Sequence, residues 1–423
     1  MHNASHHITR RAFTALLTAA PLTLSGAVRA ADPIKIGFSM ALTGPVGVAG
    51  KQCLLALEIW RDDVNAKGGL LGRPIQLVYY DDQSNPGNVP PIYTKLTDVD
   101  HVDLLIGPYA TNMVAPAIPV LMQKNLMTLG LFANAANSGF HYDRYFSMLP
   151  TGPQPKRSFS DGLFELAKAE TPQPKTVALI AADAEFAQNA VEGARESAKE
   201  FGFKIIYDQS YPPSTTDFAS IMRAVQAANA DIVYAAAYPP DTVGIVTAAN
   251  EIKLTPKLFG GALIGLLSTP IKMKLGPLAN GIVYSESFPN APTYRFTGTD
   301  EVMEKYHARA TAAGADPLGY GYVPLTYAAG QILADAVTAT KSLDQGKLAD
   351  YIRTHSFDTV GGNGIAFGKD GEWKESRMTF TQLVHVDGHD VGQFNDPKKT
   401  IVVWPAKFKS GSMTYPYATA KQP

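Results

Sequence analysis

His385-Val386-Asp387-Gly388-His389-Asp390 is the densest group of metal-ligating side chains in the chain. A zinc site needs three or four such ligands converging on one point. This cluster falls where a hairpin tip is predicted, and His and Asp at such a tip are simply solvated. Other chemistry-bearing spacings are missing: no His-Glu-x-x-His, Cys-x-x-Cys, Gly-x-Ser-x-Gly or Gly-Lys-Ser/Thr occurs. Gly319-Tyr320-Gly321 does not follow a strand, which argues against a dinucleotide loop. The residues therefore point to binding rather than catalysis, with no catalytic residue, metal or cofactor expected.

Two loops carry the chemistry that is present. Leu42-Thr43-Gly44-Pro45-Val46-Gly47 follows one predicted strand and opens a helix, and Gly107-Pro108-Tyr109-Ala110-Thr111-Asn112 does the same further on. Free N–H groups at a helix start, with the helix dipole, favour an anion. Thr111 can add a hydroxyl to a bound carboxylate or act as a plain N-cap, and the two roles can coexist. Phe186 and Tyr238 stand just past strand ends in the second half, as ligand walls or as loop packing. Tyr238-Pro239-Pro240-Asp241 is stiff because proline fixes φ.

The elements that must position these residues alternate. Strands are predicted at Ile34 to Met40, Ile75 to Tyr80, Val102 to Ile106 and Leu126 to Leu131, with helices at Val46 to Lys67 and about Thr111 to Lys124. Gly68-Gly69 stops the first helix. The rhythm restarts with strands at Thr176 to Ala182, Phe203 to Tyr207 and Ile232 to Ala237. Between them lie one helix with Val191, Ala194, Ala198 and Phe201 on a face, and another capped by Thr216-Asp217. Two βαβ series imply two doubly wound α/β domains with parallel sheets, their seam near Leu149-Pro150-Thr151-Gly152. Later, Tyr322 to Lys341 reads as a helix and Gly361-Gly362-Asn363-Gly364 as a turn. Phe380 to Val386 and Val391 to Phe394 read as an antiparallel pair around Asp387-Gly388.

Composition is that of a globular chain, 45% hydrophobic and 18% charged over 423 residues. Net charge is −1 with no basic cluster, which excludes a nucleic-acid footprint. Arg10 and Arg11 precede an apolar stretch from Ala12 to Val28, and Val28-Arg29-Ala30 fits a signal-peptidase site. Residues 1–30 thus read as an export signal, with twin-arginine and ordinary secretory routes both open. The stretch is too short and too broken by Pro21 to span a membrane. The lone cysteine, Cys53, shares a helix face with Leu57, Trp60 and Val64 and is expected to pack in the core.

In this order the motifs resemble the leucine/isoleucine/valine-binding family of periplasmic solute-binding proteins, with the type I binding-protein fold. The resemblance rests on Ile34-Lys35-Ile36-Gly37, Leu42-Thr43-Gly44-Pro45, Asp63 to Gly69, Tyr80-Asp81-Asp82 and Leu105-Ile106-Gly107-Pro108. It continues through Ala182-Asp183 with Phe186, Thr216-Asp217-Phe218, Ile232-Val233-Tyr234 and Leu325 to Ala329, and so spans the mature chain. It implies two Rossmann-like lobes joined by a three-strand hinge: residues 31–152 plus 287–375, and 153–286 plus 376–423. It further implies a monomer in the periplasm, not membrane-spanning, that hands a small-molecule ligand to an ABC permease and ATPase complex. By the same resemblance Tyr109, Ala110 and Thr111 meet the ligand carboxylate and Ala133 and Asn134 add backbone contacts. Phe186 and Tyr238 wall the cleft. Two positions depart from the amino-acid binders. Ala262 stands where they carry an acidic partner for the ligand ammonium, and Ala49 where they often carry tyrosine. A buried ammonium without a counter-charge costs several kcal/mol. A carboxylate with an aromatic or apolar body and no α-ammonium is therefore the expected ligand, unless Asp241 or Glu286 supplies the charge. A branched-chain amino acid receptor, a periplasmic sensor subunit and a secreted hydrolase are the competing readings.

Overall fold

The computed structural model describes residues 1–2 and 32–421. The export-signal reading of residues 1–30 thus lies outside the described residues, apart from Met1 and His2. The chain opens with β1 (Ile34–Met40), α1 (Gly47–Ala66), β2 (Ile75–Asp81), α2 (Val89–Asp98), β3 (Leu104–Leu105) and α3 (Thr111–Lys124). β4 (Thr128–Gly130) and β5 (Tyr145–Ser147) follow. β1 lies between β2 and β3, parallel to both, and β4 pairs in parallel with β5. A Tyr109–Leu131 bridge joins the end of the β3 loop to the end of β4.

The second series is α4 (Asp161–Ala169), β6 (Thr176–Ala182), α5 (Glu185–Phe201), β7 (Lys204–Tyr211), α6 (Ala219–Ala228) and β8 (Ile232–Ala237). α7 (Pro239–Glu251), β9 (Leu258–Leu263), α8 (Thr269–Leu275) and β10 (Val283–Glu286) complete it. The chain then runs through α9 (Thr299–Ala310), α10 (Val323–Thr340), α11 (Gln345–Thr354), β11 (Phe357–Thr359) and β12 (Gly362–Ile365). It ends with β13 (Thr379–Leu383), α12 (Val391–Asn395), β14 (Thr400–Trp404) and α13 (Tyr417–Ala420). The large sheet has the order β14-β13-β10-β9-β8-β6-β7. It is parallel from β7 to β10, and β13 and β14 add to it antiparallel. β6 and β8 are almost continuously apolar and buried, as strands covered by helices on both faces must be. The architecture is two α/β lobes with parallel sheets.

Local sequence explains the joints that matter. α1 stops before Gly68-Gly69 because Gly69 takes φ +79°, where a Cβ would sit 2.0 Å from the Arg73 carbonyl oxygen. α1 packs against α10 at Gly330, where a Cβ would come within 2.3 Å of the Trp60 indole. Cys53 is buried in the same seam and accepts a 3.4 Å hydrogen bond from the Thr326 hydroxyl. Burial pushes its thiol up to about 12, so it is inert packing.

The predicted antiparallel pair near the C-terminus needs correction. Val391–Asn395 is a short helix, and the strand that pairs with β13 is β14. Five residues are too few for periodicity to separate helix from strand. Phe394 is buried while Val391 is exposed. His389 of the metal-like cluster places its Nδ1 2.7 Å from the Met273 carbonyl oxygen.

Two segments distant in sequence, around Pro150 and from Glu372 to Arg377, meet beside a buried carboxylate. The Thr151 hydroxyl donates to Glu372 Oε2 at 3.0 Å, and the Arg377 amide donates to the Pro150 carbonyl at 2.8 Å. These bonds hold the two segments side by side.

Candidate ligand cleft

An inner cavity of about 40 Å³ lies beyond the carboxyl ends of the strands of both lobes. That is roughly three times the room one water needs. Val46, Tyr109, Ala110, Thr111, Phe132 and Leu149 line it from the first half of the chain. Phe159, Phe186, Tyr238, Ile264, Leu267, Ser285 and Ser287 line it from the second, and Tyr322 and Met378 complete it.

The polar end is built by the entry to α3. The Ala110 amide bonds the Leu131 carbonyl, which pins the loop to the end of β4. Ala110 then takes φ 78°, ψ 151°, a conformation nearly confined to glycine. From there the chain turns into α3 with Thr111 as its first residue. Met113 and Val114 donate back to the Ala110 carbonyl. The Thr111 and Asn112 amides have no acceptor among the described residues. Thr111 Oγ1 accepts the Asn134 amide at 2.9 Å, which fixes the rotamer and leaves the hydroxyl hydrogen free to donate. Two amides and one oriented hydroxyl at a helix start form a ready receptor for a carboxylate.

The rest of the wall is aliphatic and aromatic, apart from Ser285 and Ser287, and its largest side chains are the rings. Tyr109, Phe132 and Tyr322 meet edge to face, with ring centroids 4.9–6.0 Å apart. Opposite them, Phe186 packs edge-on against Phe159 at 5.3 Å and Tyr238 at 5.9 Å. Burial, reinforced by the neighbouring Tyr322, pushes the Tyr109 phenol far above its ordinary range. Burial likewise raises Tyr238, although its bond to Asn112 works the other way. Both phenols are neutral at physiological pH.

Asn112 bridges the cleft. Its Oδ1 accepts the Tyr238 hydroxyl at 2.8 Å and the Phe186 amide at 3.2 Å. Asn189 Nδ2 donates to the Asn134 carbonyl at 2.9 Å, a second clasp nearby. Replacing Asn112 with alanine strips an acceptor from two donors at once. With about 1 kcal/mol net per bond, ligand affinity is expected to fall about thirtyfold. Small-angle scattering on the variant at saturating ligand should show a more open molecule. Unchanged affinity and radius would refute a clasp.

The structure gathers Tyr109, Ala110, Thr111, Phe186 and Tyr238 around one cavity. Ala133 and Asn134 are fully buried just behind, and Asn134 reaches the site through its backbone bond to Thr111. Ala262 is buried in β9 opposite Ala236 of β8 and is not a lining residue. Ala49 lines a second, adjoining cavity. Asp241 is buried with its carboxylate held by the Tyr211 hydroxyl at 3.1 Å. Glu286 is buried with the Thr381 hydroxyl at 2.9 Å, and burial raises it against the opposing pull of Lys272. Neither acid lines the inner cavity, and among the described residues no other ionisable acid or base does, apart from the neutral phenols.

Sequence reading missed Phe132, Phe159, Ser285, Ser287, Tyr322 and Met378. Phe132 adjoins Ala133, and Tyr322 begins the region read as a long helix, so each had a nearby signal. Phe159 sits in a 3-10 turn ahead of α4, away from any strand end, and had none.

Residues 33–390 match the family model described as periplasmic binding protein. The chain belongs to this family, whose members are solute-binding proteins. Among curated relatives, the Leu/Ile/Val-binding protein homolog 7 of Brucella melitensis is 25% identical over 355 residues, covering 82% of this chain and 86% of the relative. Among solved structures, a leucine-binding protein of Thermotoga maritima superposes with TM-score 0.72 at 17% identity, covering 84% of this chain and 96% of that one. A solute-binding protein of R. palustris, solved in complex with benzoate, also gives 0.72 at 17% identity, covering 84% and 94%. Among the described residues no helix is long and apolar enough to cross a membrane.

Proposed function

We propose that this protein is the periplasmic receptor of an ABC importer, and that its ligand is a small carboxylate with an aromatic or apolar body and no α-ammonium. The observation that carries the ligand class is the composition of the inner cavity. It offers a hydroxyl and two free amides at the α3 entry, aromatic and aliphatic side chains with Ser285 and Ser287 elsewhere, and no carboxylate to balance an ammonium. The benzoate complex of the R. palustris structure shows that a protein of this fold takes such an acid.

In this reading residues 31–152 plus 287–375 and residues 153–286 plus 376–423 are the two lobes. They close about the hinge, and the closed, loaded monomer docks on a permease powered by an ATPase. No bond is made or broken, so no catalytic group is required. Export proceeds through the signal at residues 1–30, by the twin-arginine or the general secretory route.

The names of the curated relatives favour a second reading, a branched-chain amino acid ligand. A thermal-shift panel of aromatic acids and keto acids against leucine and valine separates the two. A ligand at ~100 times its dissociation constant adds about 2.7 kcal/mol of stability. Stabilisation by the acids alone is expected; stabilisation by leucine or valine alone would overturn the proposed ligand class.

A further inference from the structure

The inner cavity holds more hydrogen-bonding capacity than a carboxylate at the α3 entry consumes. Each hydroxyl of its lining can be followed to where its hydrogen goes. Ser287 Oγ donates to the Gly321 carbonyl at 2.9 Å, and Ser285 Oγ donates more weakly to the Gly261 carbonyl at 3.5 Å. The Tyr238 hydroxyl donates to Asn112, and Thr111 keeps its hydrogen for the carboxylate. That leaves Tyr109 and Tyr322, which line the cavity and are only 2% and 4% exposed. Neither hydroxyl is bonded to another group among the described residues. Neither is walled off by packing, as the unpartnered Tyr145, Tyr284 and Tyr417 hydroxyls are. Each therefore opens on the cavity. Other buried phenols are given an acceptor: Tyr306 donates to the Asp316 carbonyl at 2.6 Å and Tyr93 to the Ile106 carbonyl at 2.8 Å.

The two open phenols also stand together. Their rings meet edge to face at 5.4 Å. Their oxygens are near enough for each to shift the other's ionisation, yet no hydrogen bond of ordinary geometry joins them. Phe132 packs against both rings and helps to hold them in place. A neutral phenol donates one hydrogen and accepts at its oxygen, so an adjacent pair can donate to and accept from a single ligand atom. A hydroxyl oxygen is the group that does both in return.

We propose that Tyr109 and Tyr322 are the specificity-determining pair of the cavity, and that the ligand is a hydroxylated acid whose hydroxyl bridges the two phenols while its carboxylate sits at Thr111. The pairing rests on the reading of the inner cavity as a carboxylate site. An acid that lacks the hydroxyl leaves both buried phenols unpaired, and a site built to hydrogen-bond a hydroxyl discriminates against such an analogue.

Titration calorimetry on the purified protein with benzoate, 3-hydroxybenzoate and 4-hydroxybenzoate tests it. One of the two hydroxy acids is expected to bind about tenfold or more tighter than benzoate. Tyr109→Phe and Tyr322→Phe keep the ring and remove the oxygen. The readout is the ratio of hydroxy-acid to benzoate affinity, which a loss of packing alone would not move. Each single variant should cut that ratio several-fold, and the double variant should abolish it. Benzoate binding with no gain from either hydroxyl overturns the pairing alone, as does a ratio that survives in all the phenylalanine variants. Failure of all three acids to bind overturns the carboxylate reading of the inner cavity and the pairing with it.

Discussion

Thr111→Val is expected to weaken carboxylate binding about ten- to a hundredfold, while Thr111→Ser stays within a few-fold of the wild type. Valine keeps the shape and removes the oxygen. That deletes the donor to the ligand, where a hydrogen bond to a charged group is worth about 1.5–3 kcal/mol. It also orphans the Asn134 amide, which now bonds Thr111 Oγ1 at 2.9 Å. A buried unpaired amide costs about 1–3 kcal/mol, so the valine variant should melt earlier even without ligand. Serine restores both bonds. Calorimetry and thermal melts on the pair check this, and a loss in the serine variant as large as in the valine variant would refute the assignment of the effect to the hydroxyl.

The second large effect is on stability against pH. Burial pushes the Glu372 carboxyl from its ordinary 4.5 up to about 8, with Asp370 adding to the rise and the Thr151 hydroxyl opposing it. The folded chain therefore holds this proton between about pH 4.5 and 8, where the unfolded chain has released it. The stability from this difference is fully present below pH 4.5 and is lost as pH rises through about 8. The wild type should lose on the order of a few kcal/mol across that window. Glu372→Gln keeps the size and cannot ionise, so its melting temperature should decline much less from pH 5 to 9. Glu286, also raised by burial, leaves a residual slope of the same sign. An unchanged slope in the glutamine variant would show that Glu372 does not carry the effect.

Much of this fold is written locally. β1, β6, β8 and α3 run between the residues expected from sequence, because each pairs an apolar run or helical face with a clear stop signal. Tyr109, Ala110, Thr111, Phe186 and Tyr238 were legible for a related reason. In a parallel sheet the residues just after strand ends face the cleft, so their position in the chain announces their place in space. Ser285, Ser287 and Met378 escaped because their approach depends on how the chain returns between the lobes, a long-range matter. The C-terminal hairpin misled because Asp387-Gly388 imitates a turn. The β-branched run Thr400–Trp404, which supplies the true partner strand, lies beyond a helix too short to register.

The Asn112 clasp has a bearing on how such a receptor evolves. Its bonds to Tyr238 and Phe186 are made by the protein to itself, so their energy enters the affinity for every ligand as one common multiplier. The cavity walls decide which molecule is preferred; the clasp decides how tightly all of them are kept. Substitutions at residue 112 would therefore retune how tightly, and for how long, any ligand is held, while the order of preference among ligands stays the same.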